Sequence, residues 1–429
     1  MACTRDLRKV PTRLFPHRGD YQLDKRAFSK DLIAGLTVAV VALPLALGFG
    51  VTSGASAAAG LTTAVLAGFI AAIFGGSKYQ VSGPTGAMTV ILIPIIHSYG
   101  IQAIPFLGLL AGVMVIVMGL LKLGAVINRI PWSVVAGFTA GIACVIALQQ
   151  IPLALGIPKG DGDRTLLVAW RTIMSALAAG INWPTVAIVA LTLTVKFLHP
   201  QLFRLLRIRV HIPASFVAIV TALVVVETFS LDVATIGDIP RSLGSWRGGD
   251  ISLSDISHLV WPAFLIALLC AIESLLSARV ADGMVHTLEA DKYNPNRELV
   301  GQGLATSVAS MFGGLPATGA IARTSVNVRA HAQTRMASIV HAFVLLFMAL
   351  VAAPWVSHIP APAIAGVLIG TSYRILNPRS LKESLQTTKR EAAVLIVTAV
   401  ATLAIDLIWG IAIGIVLYAL LHRKKVTKT

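Results

Sequence analysis

The chain has 429 residues, 56% of them hydrophobic and only 13% charged, with mean hydropathy +0.81 and a formal net charge of +16. Soluble domains carry about 25% charged residues, so the composition excludes a sizeable soluble domain, and apolar runs recurring from end to end make this a polytopic membrane protein. The three cysteines (Cys3, Cys144, Cys270) have no ligand spacing, which argues against a disulfide framework or a metal site.

Residues 1–30 form a basic tail. The run that follows resembles a signal peptide, but many further spans argue against removal. Fourteen apolar segments then follow, at 32–52, 60–74, 84–99, 104–124, 132–150, 184–199, 212–230, 258–280, 298–313, 316–331, 337–355, 360–373, 391–408 and 409–423. Several are shorter than the ~20 residues a helical crossing needs. They divide into a first seven-span repeat (31–230) and a second (258–423). A polar, Gly- and Pro-bearing outer linker (231–257) joins them, and a short tail (424–429) closes the chain. The outer loop 151–183 carries an amphipathic helix around 166–179.

With the N-terminus inside, inward-facing segments hold 29 of the 35 Lys and Arg. This bias sets the orientation, with both termini cytoplasmic in a plasma (inner) membrane. The basic rim suits anionic headgroups, which accounts for the charge without nucleic acid. By this count Arg323 is the one cation left near mid-depth.

The halves repeat each other. Residues 42–54 (ALPLALGFGVTSG) correspond to 271–283 (AIESLLSARVADG), AAIFGG at 71–76 to ASMFGG at 309–314, and SGPTGA at 82–87 to LPATGA at 315–320. Seven spans per copy make the copies run in opposite directions, the inverted-repeat plan of many secondary transporters, with interrupted segments at the substrate site. The expected fold is all-α, 7+7 inverted repeats with broken third and tenth spans.

Each break, Pro84–Ala87 and Pro316–Ala320, precedes a short helical stretch. Pro fits a first turn and Gly allows close approach. Half-helices starting at mid-membrane present unpaired N–H groups and partial positive charge, and two such ends facing each other make an anion site. Ordinary Pro/Gly kinks are the alternative. Arg323, about two turns of helix past Pro316, adds positive field; snorkelling or a structural acid partner would also explain it.

Glu273 lies mid-span with Ser277 one turn on. An intramembrane carboxyl is a functional candidate. Burial disfavours its charge, which suits a reversible proton carrier; with Ser277 and carbonyls it could instead hold Na⁺, or pair with Arg323. Glu227 and Asp406 fall near span ends, and the histidines (His97, His199, His331, His341) scatter at span ends without forming a set. Phe49 reads as core packing. No hydrolase, kinase, P-loop or zinc motif is present, so neither enzyme activity nor a cofactor is expected.

These residues resemble the SulP sulfate-permease family of anion transporters, prestin-like proteins included. The resemblance is carried by DLIAGLTVAVVALPLALGFG (31–50), SGPTGAMTV (82–90), GFTAGIA (137–143), ESLLSARVADG (273–283), GGLPATGAIARTSVNVRA (313–330), AGVLIGTSYRILNP (365–378) and DLIWGIAIGI (406–415). It implies core and gate domains, a homodimer, and an anion held between the third and tenth spans and closed off by the first and eighth. The residues implicated are Phe49, the backbone at Thr85, Gly86 and Ala87, Glu273, Ser277, the backbone at Gly319, Ala320 and Ile321, and Arg323.

Three departures matter. Many members continue into a cytoplasmic STAS domain, where this sequence ends at Thr429; it is either naturally short or truncated. Many carry Gln where this chain has Leu45, an apolar choice shared with the bicarbonate-carrying branch. That branch has Asp in a Na⁺ site at the position of Glu273, and Glu favours protons.

The expectation is an H⁺-coupled, elevator-like symporter of sulfate, bicarbonate or a small dicarboxylate. The alternatives are a Na⁺-coupled bicarbonate symporter, an anion exchanger, or an uncoupled channel of prestin type. A nucleobase carrier is disfavoured because the tenth-span region has Arg323 and no acid.

Overall fold

The computed structural model describes residues 24–422 except 128, 161, 163, 207–211, 238–243, 245, 247–255, 286–291 and 406, together with residues 14, 16, 17 and 21. Asp406, Arg241, Arg247, most of the linker and most of both tails lie outside the described residues.

The first half contains α1 (Lys25–Thr52), α2 (Ala57–Phe74), β1 (Ser82–Gly83), α3 (Gly86–Tyr99), α4 (Ile104–Leu120), α5 (Gly124–Ile127), α6 (Trp132–Gln149), α7 (Ile151–Leu155), α8 (Thr165–Ala179), α9 (Trp183–Leu205) and α10 (Ala214–Phe229). The second contains α11 (Ile256–Val285), α12 (Pro295–Met311), β2 (Thr318–Gly319), α13 (Ile321–Arg329), α14 (Met336–Val351), α15 (Ala353–Ser357), α16 (Ala361–Leu376), α17 (Pro378–Thr387), α18 (Lys389–Ala404) and α19 (Leu407–His422).

Each of the fourteen apolar segments overlaps a helix, and 337–355 overlaps two, α14 and α15. Among the described residues, six helices are long and apolar enough to cross a bilayer by length and composition, and several others are apolar but shorter. The amphipathic stretch expected at 166–179 is α8, on the segment between α7 and α9.

Helix ends follow local chemistry. Ser56 caps α2 by accepting from Ala59 N, and Asn294 caps α12 by accepting from Asn296 and Arg297 N, with Pro295 at the first position. The helices pack in two groups. In one, α1, α2, α4, α11, α12, α13 and α14 pack on each other; in the other, α6, α9, α10, α16, α18 and α19 do. Alanines 67, 71, 305, 309 and 317 fill the contact of α2 with α12 and the turn before β2, because small side chains let backbones approach.

Two expectations about helix starts are corrected. The second break stays extended to Ala320, so Arg323 lies in the first turn of α13 and not two turns into a helix from Pro316. Pro84 likewise precedes the cap residue Thr85 of α3. The chain stays extended to Ala320 because Thr318–Gly319 pair with Ser82–Gly83 and Ala320 N donates to Val81 O.

Candidate anion and coupling site

The site begins with the pairing of β1 and β2. They run antiparallel, with Ser82 opposite Gly319 and Gly83 opposite Thr318. Each strand feeds a helix, so α3 and α13 both start at this crossing. Ala320 N donates to Val81 O at 3.0 Å, and Gly319 N to Ser274 Oγ at 3.0 Å, which fastens the crossing to α11.

The two starts differ. At α3 the Thr85 hydroxyl caps the helix, accepting from Met88 N at 3.3 Å. At α13 the cap position is Ala320, with no side chain to accept the first N–H groups.

Glu273 and Arg323 arrive from α11 and α13. Glu273 Oε2 accepts from Thr318 Oγ1 at 2.7 Å and Thr85 Oγ1 at 2.8 Å. Its Oε1 has no hydrogen-bond partner among the described residues. Arg323, 1% exposed, donates from Nη2 to Pro84 O. Its Nη1 is buried without a partner among the described residues. The guanidinium lies so close to Gly83 (φ +153°) that a Cβ there would collide with Nη1.

These groups meet at one cavity of about 60 Å³, whose walls include Phe49, Thr85, Gly86, Ala87, Glu273, Ala320, Ile321 and Arg323. One water needs ~10–15 Å³ on this measure, so the space suits several waters or one small oxyanion. Leu45, Phe138, Ile142 and Ile146 make the rest mostly apolar. A neighbouring cavity of about 190 Å³ shares Thr139, Ile321 and Ile375 and extends to Asn377 and Leu381, beyond the end of α16.

Of the expected site residues, Gly319 and Ser277 do not line this cavity. Gly319 belongs to the strand pair. Ser277 donates to Thr324 Oγ1 at 3.0 Å, where it ties α11 to α13. The hydroxyls on Glu273 are instead those of Thr85 and Thr318. Sequence reading used Thr85 only for its backbone and left Thr318 out. The signal was there, since each break carries a Thr just ahead of its helix, Thr85 one residue before α3 and Thr318 three before α13.

Two more expectations are corrected. Lys196, counted with the inner-side cations, lies inside α9 and is 1% exposed. His341, placed at a span end, is fully buried within α14. No group of three or more His, Cys, Asp or Glu that could hold a metal occurs among the described residues.

The family model described as the sulfate permease family matches residues 28–398. YvdB of Bacillus subtilis (strain 168) is 37% identical over 406 residues, covering 92% of this chain and 73% of that protein. The bicarbonate transporter BicA of Picosynechococcus sp. (strain ATCC 27264 / PCC 7002 / PR-6) is 33% identical over 402 residues, covering 90% and 68%. The solved transmembrane domain of a cyanobacterial BicA superposes with TM-score 0.79 at 27% identity, over 93% of this chain and 99% of that one. SLC26A9 shares the fold, with TM-score 0.81 at 17% identity over 94% and 66%. The chain is an integral membrane protein that belongs to the sulfate permease family of anion transporters.

Proposed function

We propose that this chain is a secondary active transporter that carries a small anion together with a proton. The carrying observation is a convergence. Two helix starts, a buried guanidinium nitrogen without a partner among the described residues, and a carboxyl all border one cavity of oxyanion size. The open start of α13, the start of α3 and the Arg323 charge supply positive potential where an anion loses its water. Gly86, Ala87, Ala320 and Ile321 offer backbone, Gly319 holds the crossing, and Phe49 and the aliphatic wall exclude water. Glu273 takes the proton, through the oxygen not engaged by Thr85 and Thr318.

In this reading the cargo is sulfate, bicarbonate or a small dicarboxylate. One relative is named as a bicarbonate transporter, and a 26%-identical Arabidopsis thaliana relative as sulfate transporter 4.1, chloroplastic. The fourteen segments act as 7+7 inverted repeats in a plasma membrane with both termini inside. The helix group holding Glu273 and Arg323 is a core that slides, elevator fashion, against the other group as a gate. The larger cavity, leading toward α17, is then the cytoplasmic exit. Homodimer formation rests on resemblance to the family.

A second reading has Na⁺ in place of the proton, held by Glu273, Thr85 and Thr318. It is favoured by the three oxygens lying together at 2.7–3.3 Å. Uptake of labelled sulfate, bicarbonate, chloride and succinate into proteoliposomes, with separate pH and Na⁺ gradients, separates the two. Saturable accumulation driven by the pH gradient alone is expected. Accumulation that follows only Na⁺ would select the second reading, and uptake of none of these anions would overturn both.

A further inference from the structure

Lys196 is a buried lysine in the other helix group, and the site described above does not use it. Its Nζ donates to Val367 O at 2.6 Å and to Thr371 Oγ1 at 2.7 Å, both on α16. No carboxylate is within ion-pairing reach of it among the described residues. A lysine at membrane depth costs roughly 2.5–3.5 kcal/mol on insertion scales, and charges there ordinarily mark an ion path. A hydroxyl would tie α9 to α16 as well without that cost. The helices are in any case already close. Thr192 and Lys196, one turn apart on α9, face Gly366 and Gly370, one turn apart on α16. A Cβ at Gly366 would lie 2.8 Å from Thr192 Cβ, and one at Gly370 would lie 2.8 Å from Lys196 Cδ. The glycine at 370 is therefore a slot for the lysine stem, and the stem delivers the charge to Thr371. Thr371 lines the same cavity as Glu273 and Arg323, from the opposite helix group.

We propose that Lys196 is a second cation of the anion site, supplied by the gate-side helices and acting through Thr371 by its field rather than by contact. This rests on the anion-transport reading and deepens it. Arg323 travels with the core and Lys196 stays with the gate, so the cavity feels both charges only when the two groups are aligned as here. The pair then favours anions over neutral solutes, and divalent over monovalent ones.

The test uses that valence dependence. Removing one charge changes the interaction energy in proportion to the charge of the cargo. A loss on the order of tenfold in KM for a monoanion should therefore become roughly its square for a dianion. Lys196→Met fills the Gly370 slot with an uncharged stem of similar reach, and Lys196→Arg keeps the charge. Full-length protein in proteoliposomes is assayed for competition of transport by chloride, bicarbonate, sulfate and succinate. The expected result is a larger loss for the dianions in K196M, with the ratio restored in K196R. An equal loss for both valences in K196M would assign Lys196 to helix packing and overturn the proposal, as would unchanged KM values. Should K196M fail to assemble as a monodisperse protein, Lys196→Gln against Lys196→Arg reads the same ratio. Wild-type protein that moves no anion would overturn the underlying transport reading instead, a result visible before any variant is compared.

Discussion

Two buried glutamates sit one helix apart and are treated in opposite ways. Glu298, in the first turn of α12, is saturated. Oε2 accepts from Gly76 N at 2.7 Å and Ser77 N at 2.8 Å, and Oε1 accepts from Gln80 Nε2 at 2.6 Å and Gln302 Nε2 at 2.9 Å. Glu273 has both of its donors on one oxygen and the edge of a cavity beside it. Four fixed donors favour one charge state and one geometry. A carboxyl with half its lone pairs open can exchange a proton or an ion. In the proposed reading the contrast separates a carboxylate that holds the fold from one that exchanges a proton or an ion, although both are deeply buried.

The sharpest way to break this comparison is to neutralise each in turn. Glu298→Gln turns an NH₂ group toward donors that need an acceptor. Each donor left unmatched costs about 1–3 kcal/mol, and the corner 76–80 loses its anchor on α12. The expected outcome is loss of monodisperse protein in detergent, or a clearly lowered Tm, seen by size exclusion and thermal unfolding. Glu273→Gln should leave assembly unchanged, because its oxygen can still accept from Thr85 and Thr318. Anion accumulation driven by an acid-outside gradient should fall at least tenfold, while exchange of internal for external labelled anion persists. Unchanged pH-driven accumulation would remove the proton from Glu273.

The same pair shows how far sequence carries. Glu273 stands out because it is alone in the middle of a long apolar run. Glu298 does not, because it lies at the edge of its run beside a charged loop, where an acid is ordinary; only the chain's return at Gly76–Gln80 buries it. Lys196 was hidden in the same way. It falls near the end of the segment 184–199, and its charge counts with the basic inner side that follows. A Pro inside a helix loses one donor and clashes locally but need not end it, and α9 continues to Leu205. Apolar runs and Gly/Pro breaks predict the helices well, since burial in lipid and backbone satisfaction leave few other solutions. Which hydroxyl meets which carboxylate depends on turn geometry and on contacts between residues tens to hundreds apart. Thr318 reaches Glu273 from an extended turn, where no helical periodicity points to it.

Substitutions at the residues around Glu273 have smaller expected effects. Arg323→Met removes the guanidinium that borders the cavity and its bond to Pro84 O. A hydrogen bond to a charged group contributes about 1.5–3 kcal/mol, so KM for the anion should rise on the order of tenfold to a hundredfold, with Arg323→Lys intermediate. An unchanged KM would confine Arg323 to bracing the turn at Pro84. Thr318→Val is gentler and distinguishes the two coupling readings. It preserves shape and deletes one donor at 2.7 Å from Glu273 Oε2. Interhelical hydrogen bonds in membrane proteins average about 0.6 kcal/mol, so a hydroxyl that only steadies the carboxylate should change proton-driven uptake by about threefold or less. A hydroxyl that ligates Na⁺ instead supplies one of few oxygens around the ion. Its loss should then abolish any Na⁺ stimulation while leaving exchange intact. Initial rates for T318V, taken across a series of Na⁺ concentrations at fixed pH, decide between these outcomes.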